Sequence, residues 1–308
     1  MPKRSLLQNI LLTFKGMAMG AADVVPGVSG GTIAFISGIY EELIESINKI
    51  NFGAIRVWRK DGFKAAWEYI NGTFFVFLFG GIGISIVSLA KVVTNLLESH
   101  PILIWSFFFG LIIASVWLIG KSVTKWSIGT ITALIIGGAL AFYITTIQSV
   151  ANIEADWFIL LSGALAICAM ILPGISGAFI LLLLGSYDHV LEAITTRDFL
   201  VIGLFALGCL IGLLTFARVL KFLFSKFKNI TIAILTGFMI GSLNKVWPWK
   251  ETLDTRLNSH GKEVPFIQEN ILPANFDGDA QLWIAISCAV FGFLVIFILE
   301  RFAPKPAE

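Results

Sequence analysis

The sequence predicts an all-α polytopic membrane protein built from two inverted repeats, each a re-entrant helical hairpin followed by three transmembrane helices. Three observations carry this. The chain is 57% hydrophobic and only 14% charged, with 27 Phe and a mean hydropathy of +0.87, too apolar for an ordinary soluble core. Pro26-Gly27-Val28-Ser29-Gly30-Gly31 returns as Pro173-Gly174-Ile175-Ser176-Gly177-Ala178. The basic residues of the short connections fall on one side of the membrane.

Sliding Pro26 onto Pro173, a shift of 147, pairs residues 16–47 with 163–194 and gives eleven identities in 32 positions, among them Gly16/Gly163, Gly38/Gly185, Tyr40/Tyr187 and Glu45/Glu192. Further along, Gly81/Gly208, Lys91/Arg218, Gly110/Gly237 and Ser115/Ser242 match at a shift of 127, so the first copy holds an extra segment around 49–70. The division expected is residues 1–150 and 151–308.

The first hairpin covers 9–47, with arms 9–25 and 27–47; the second covers 157–194, with arms 157–172 and 174–194. A 16-residue arm gives roughly 24 Å of helix at ~1.5 Å per residue, short of the ~30 Å hydrocarbon core, so each pair dips in and returns. The following spans are 72–97, 101–120 and 126–148, then 199–220, 229–247 and 280–300. Three crossings per copy is an odd number, which inverts the second copy. Segment 49–70 mixes Phe52, Trp58, Phe63 and Trp67 with five basic residues and reads either as an interfacial amphipathic helix or as a solvated loop. Segment 248–279, with Pro265 and Pro273, reads as an external loop.

A cytoplasmic N-terminus puts Lys3, Arg4, Lys15, Lys49, Arg56, Arg59, Lys60, Lys64, Lys121, Lys125, Lys221, Lys226, Lys228, Arg301 and Lys305 inside, leaving Glu98, Glu154, Asp156 and the acidic 248–279 outside. Both termini are then cytoplasmic. The start of the chain imitates a secretory signal, but cleavage before Asp23 would cut into the repeat.

A helix starting at a Pro-Gly break presents unsatisfied amides and the positive end of its dipole. Pro26, Gly27, Ser29, Gly30, Gly31 and Thr32, with Gly174, Ser176 and Gly177, therefore form the candidate anion site, the glycines allowing close approach and the hydroxyls donating to phosphate or carboxylate. Two such tips entering from opposite faces could meet near the midplane. A tight turn between packed helices is the plainer reading of one copy alone. Lys91 and Arg218 share a repeat position; a cation at the bilayer centre costs on the order of 2.5 to 3.5 kcal/mol, which either phosphate pairing or snorkelling would relieve. Asp23 has no acidic counterpart, since Met170 takes its place. It could carry a proton in a transport cycle, or partner Lys91, Arg218 or the hairpin amides. Glu41 is a second candidate acid, although its place at an arm end also suits interfacial exposure.

Cys168, Cys209 and Cys288 show no paired spacing and have no nearby His, so no metal or cofactor is expected. The sequence carries no Walker loop, zinc motif or acid–Ser constellation. No nucleic-acid partner is expected; the bilayer is, and a homo-oligomer is compatible with the sequence.

Met19-Gly-Ala-Ala-Asp23-Val-Val-Pro26-Gly-Val-Ser-Gly-Gly31-Thr32, with Gly38-Ile-Tyr40-Glu41, Leu172-Pro-Gly-Ile-Ser-Gly177 and Gly185-Ser-Tyr187, resembles the DUF368 family of bacterial membrane proteins over nearly the whole chain. The resemblance implies movement of undecaprenyl phosphate, the C55 lipid carrier, from the outer to the inner leaflet of the cytoplasmic membrane. Alternating access of two inverted halves around a phosphate site suits that task. A transporter or channel for a small soluble anion is the alternative. A lipid-phosphate enzyme would need a nucleophile or base that the sequence does not offer.

Overall fold

The structure, a computed structural model, describes residues 4–24, 28–147, 155–257 and 263–301. It is mostly helical. Helix α1 (Leu6–Asp23) opens at a capping box, in which Ser5 accepts the Gln8 amide and the Gln8 side chain accepts the Ser5 amide. The return arms differ from expectation. Instead of single helices over 27–47 and 174–194, each is two: α2 (Gly30–Ile36) and α3 (Tyr40–Asn48), then, after α8 (Asp156–Ile171), α9 (Gly177–Leu183) and α10 (Tyr187–Thr196). Gly38 and Gly185 take φ of +73° and +67°, a conformation that ends a right-handed helix and that glycine tolerates best. The α9 and α10 axes are bent by 105°.

Segment 49–70 is helical, as α4 (Phe52–Tyr69), with no buried residue and a break at Gly62. Its Phe52, Trp58 and Phe63 are exposed, as an interfacial helix requires. Helices α5 (Gly72–Ser99), α6 (Pro101–Lys121), α7 (Ile128–Thr146) and α11 (Phe199–Lys226) are long and apolar enough to cross a membrane, and α9 with α10 would make a fifth, bent, span. Helix α13 (Leu282–Arg301) and α8 contribute shorter apolar stretches. Helix α12 (Lys228–Ser242) has 15 residues, or roughly 22 Å at ~1.5 Å per residue. It stops short of the expected 247 because residues 243–246 turn, and Asn244 donates to Thr145 at 2.8 Å.

The protein is not wholly α. Part of the expected loop 248–279 is an antiparallel hairpin of β1 (Lys250–Leu257) and β2 (Glu263–Asn270), with Lys250 opposite Asn270 and an irregularity around Asp254. The turn-forming residues of this segment hid the strands. Pro265 is accommodated in β2 because a two-stranded sheet consists only of edges.

Four helix pairs make up most of the packing: α1 along α5, α8 along α11, α6 along α13 and α7 along α12. Each closes over glycine. A methyl on Gly16 would collide with the Leu78 carbonyl and one on Gly81 with that of Thr13; Gly163 meets Phe205 and Gly208 meets Leu160 in the same way. Gly110 lies on Ala289 as Gly237 lies on Leu134. Small residues let helix backbones approach in lipid, where no hydrophobic effect drives association. The last helix of each sequence half thus packs against a helix of the other half.

Polar contacts sort the connections onto two faces. On one, Arg4 pairs with Glu42, Asn71 donates to Glu42 at 2.9 Å, Thr124 donates to Asn229 at 3.0 Å and Lys228 pairs with Glu41 at 2.7 Å. On the other, the β-hairpin meets the starts of α6 and α13, where Trp249 packs with Ile102 and Ala285 and donates to Ala280 at 2.9 Å. The basic connections around 121–125 and 226–228 therefore share the face of Arg4. Between the faces, side chains such as Phe79, Val87, Ile135, Leu210 and Phe291 are exposed, an outward apolar surface suited to lipid.

Candidate functional site

The two motifs meet. Helix α1 ends at Asp23, and after the break Ser29, in extended conformation, caps α2 by accepting the Gly31 amide at 3.1 Å. Pro26 and Gly27 lie outside the described residues. In the second motif α8 ends at Ile171, Gly174 turns with φ +86°, and Ser176 precedes α9 without capping it through its side chain. The Ser29 hydroxyl lies 3.1 Å from the Met170 carbonyl and 3.0 Å from that of Leu172, so its single proton is shared between them. In return, the Gly174 amide donates to Thr32 Oγ1 at 3.0 Å. A methyl on Gly31 would strike the Ile171 carbonyl, and one on Gly174 the backbone of Met239 in α12. Glycine is what allows two irregular backbones to touch inside this apolar chain, where each freed carbonyl needs a donor.

Asp23 folds back over its own break. Its Oδ1 accepts the Gly30 amide at 2.6 Å, a short charge-assisted bond. Of the partners open to it in sequence, it takes the hairpin amide. The first two amides of α2 are thus engaged, by a carboxylate and by a serine hydroxyl. Met170, the repeat counterpart of Asp23, contributes its carbonyl to Ser29 instead.

The second motif borders a narrow cleft. Gly174, Ile175, Ser176 and Phe179 face Ala141, Ile144 and Thr145 of α7, with Lys245 at the side. The Lys245 ammonium stands 4.5 Å from the centre of the Phe179 ring. Sequence reasoning missed Lys245 because it lies outside the repeated motif, near the end of a segment read as a span. The uncompensated positive charge there was the available signal.

The remaining candidates lie elsewhere. Arg218 is exposed on α11, beside Ala217, whose carbonyl accepts from Asn48 at 2.8 Å near the end of α3. Lys91 lies on α5. Glu41 is brought to Lys228 on the face of Arg4, where both side chains are more than half exposed; such a pair contributes about 0–1 kcal/mol. Among the described residues, no cluster of His, Cys, Asp and Glu could hold a metal ion.

Residues 19–264 match the VCA0040-like family, described as undecaprenyl phosphate translocase-like. The chain is 47% identical over 303 residues to a polyprenyl-phosphate transporter of Vibrio cholerae serotype O1, covering 96% of this chain and 98% of that protein. It is 33% identical over 258 residues to a polyprenyl-phosphate transporter of Staphylococcus aureus, covering 78% and 86%. No solved structure matches the chain. With most of its length matched, the chain belongs to the VCA0040-like, undecaprenyl phosphate translocase-like family.

Proposed function

We propose that this protein carries polyprenyl phosphate, of the undecaprenyl (C55) class, from the outer to the inner leaflet of a bacterial cytoplasmic membrane, with both termini inside. The observation that carries this reading is the cross-linked pair of motifs, Ser29 on Leu172 and Gly174 on Thr32, in a chain whose relatives are named for that lipid. A phosphate head needs polar groups through hydrocarbon, while its tail can stay in lipid. The matched glycine contacts of α1 with α5 and of α8 with α11 support two inverted copies whose relative rocking would open the junction to each leaflet in turn.

The head group passes between Ser29, Gly30, Gly31 and Thr32 on one side and Gly174, Ser176 and Gly177 on the other, with Pro26 and Gly27 among the residues proposed to serve it. In the resting arrangement Asp23 serves as the anion of the first tip. Exchange of that carboxylate for phosphate, aided by protonation of Asp23, frees the Gly30 amide. Lys91 and Arg218, at matching positions on oppositely directed helices, attract the phosphate at opposite ends of the path, and Glu41 with Lys228 ties α3 to α12.

Leaflet-selective labelling of undecaprenyl phosphate in proteoliposomes tests this. Protein-dependent redistribution of intact lipid is expected. Flux of a soluble anion past immobile lipid, or release of inorganic phosphate, would overturn it.

A further inference from the structure

We propose that Lys245 and Lys250 form a reception site for a phosphate monoester on the face of the β-hairpin, leading into the cleft beside Ser176. The inference rests on the transport reading and adds to it the place where the head group is first bound.

The two lysines reach the same spot from different elements. Lys245 lies in the turn after α12 and lines the cleft with Ser176 and Thr145. Lys250 begins β1 and donates from Nζ to the Lys245 carbonyl at 2.7 Å. Neither is in an ion pair among the described residues. Aromatic rings shelter them instead: Lys250 Nζ is 3.9 Å from the centre of the Trp105 ring on α6, and Lys245 lies over Phe179 of α9. A cation–π contact partly replaces lost hydration, but it leaves two ammonium groups without a counter-ion and near enough for Lys245 to disfavour the charge on Lys250. Burial, and then the neighbouring Lys245, bring the Lys250 pKa down to about 7, in keeping with a desolvated cation that has no carboxylate beside it.

A half-buried pair of like charges costs stability unless something compensates it. A dianion between the ammonium groups is that compensation. Lysines act toward phosphate as point charges with several donors each. The Ser176 hydroxyl borders the same cleft, while the Thr145 hydroxyl is already committed, donating to the Phe142 carbonyl and accepting from Asn244. The cleft is only about 10 Å³ as it stands, so the lysines receive the head group at its mouth. The apolar walls of Ala141, Ile144 and Ile175 meet the first isoprene units only once α7 and α9 part. The side is also informative. The β-hairpin covers the face away from the basic connections, so a lipid phosphate arriving there finds its counter-charge at the protein.

The test is binding of farnesyl phosphate, with farnesol and inorganic phosphate as companions, to the purified full-length protein in lipid nanodiscs. Lys245→Gln with Lys250→Gln should weaken farnesyl phosphate binding by roughly 10- to 100-fold, the loss expected when hydrogen bonds to a charged group disappear. Farnesol binding should stay as it was, and Lys245→Arg with Lys250→Arg should restore much of the affinity. Lys125→Gln, an exposed lysine on the opposite face, should bind normally. Unchanged farnesyl phosphate binding in the double Gln variant overturns the site while leaving the transport reading intact. Equal loss for farnesol overturns it too, by showing a role in packing alone. Inorganic phosphate bound as tightly as farnesyl phosphate, and lost with the lysines, supports the anion site but assigns it to a soluble ion. Wild-type protein without preference for farnesyl phosphate over farnesol overturns the transport reading and the site together.

Discussion

The Ser29 hydroxyl bonds the carbonyl of Leu172 at 3.0 Å, joining residues 143 positions apart in the chain. The contact belongs to packing before it belongs to function, since Ser29 is 1% exposed and the carbonyls it serves come from backbone freed by a helix break.

Ser29→Ala should therefore lower both stability and transport. It removes a donor shared by two partly buried carbonyls and the acceptor of the buried Gly31 amide, a loss of about 1–3 kcal/mol. Thermal unfolding in detergent reads the first effect and proteoliposome transport the second. A variant as stable and as active as the wild type would show that the two tips do not depend on this bond.

Asp23→Asn should bind polyprenyl phosphate more tightly. The amide oxygen can still accept from Gly30, but a neutral bond is roughly half as strong as the charge-assisted one, so phosphate competes for the tip more easily. Transport in this variant should also lose its dependence on a proton. Weaker binding would instead place the carboxylate in direct service of the ligand.

Farnesyl phosphate binding should fall as pH rises above about 7. Lys250, facing Lys245 from the turn and Trp105 from α6, has its pKa lowered to about 7 by burial and then by Lys245, so in the free protein the ammonium is present below that pH and lost above it. The second proton of a phosphate monoester leaves near ~6, which sets the acid limb, and bound phosphate stabilises the ammonium. Affinity should peak between the two limbs, and Lys250→Arg should abolish the alkaline fall, as titration calorimetry across pH would read.

Gly81→Ala and Gly80→Ala should part company. A methyl at Gly81 meets the Thr13 carbonyl, whereas Gly80 has nothing within 4 Å. Overpacking costs about 1–3 kcal/mol, so the first should reduce the yield of monodisperse protein and the second should not. Gly208→Ala should repeat the Gly81 result against Leu160.

The glycine pattern explains why so much of the architecture was legible. Gly16/Gly163 and Gly81/Gly208 match in sequence because each seats one helix on another, and that constraint admits only the smallest residue. The motifs were conspicuous because helix breaks inside apolar runs are costly to keep. What stayed hidden depended on partners remote in the chain. Nothing near 126–148 announces that α7 lies along α12. Gly38 and Gly185 were visible as a matched pair, but their positive φ, which splits each return arm, is a property of the folded turn. The β-hairpin was masked by residues that also favour turns. Lys245 was passed over because only the fold brings it to Ser176, and the same fold shows the Gly30 amide, expected to be open, already held by Asp23.

The most direct test is photo-crosslinking with a polyprenyl phosphate analogue bearing a diazirine next to the phosphate, in native-like membranes, with unlabelled undecaprenyl phosphate as competitor. Competed labelling within 28–32 and 170–177 is the predicted result. Labelling confined to the outward apolar surfaces of α5, α7 or α13, or labelling that the competitor does not displace, would contradict passage of the head group between the two motifs.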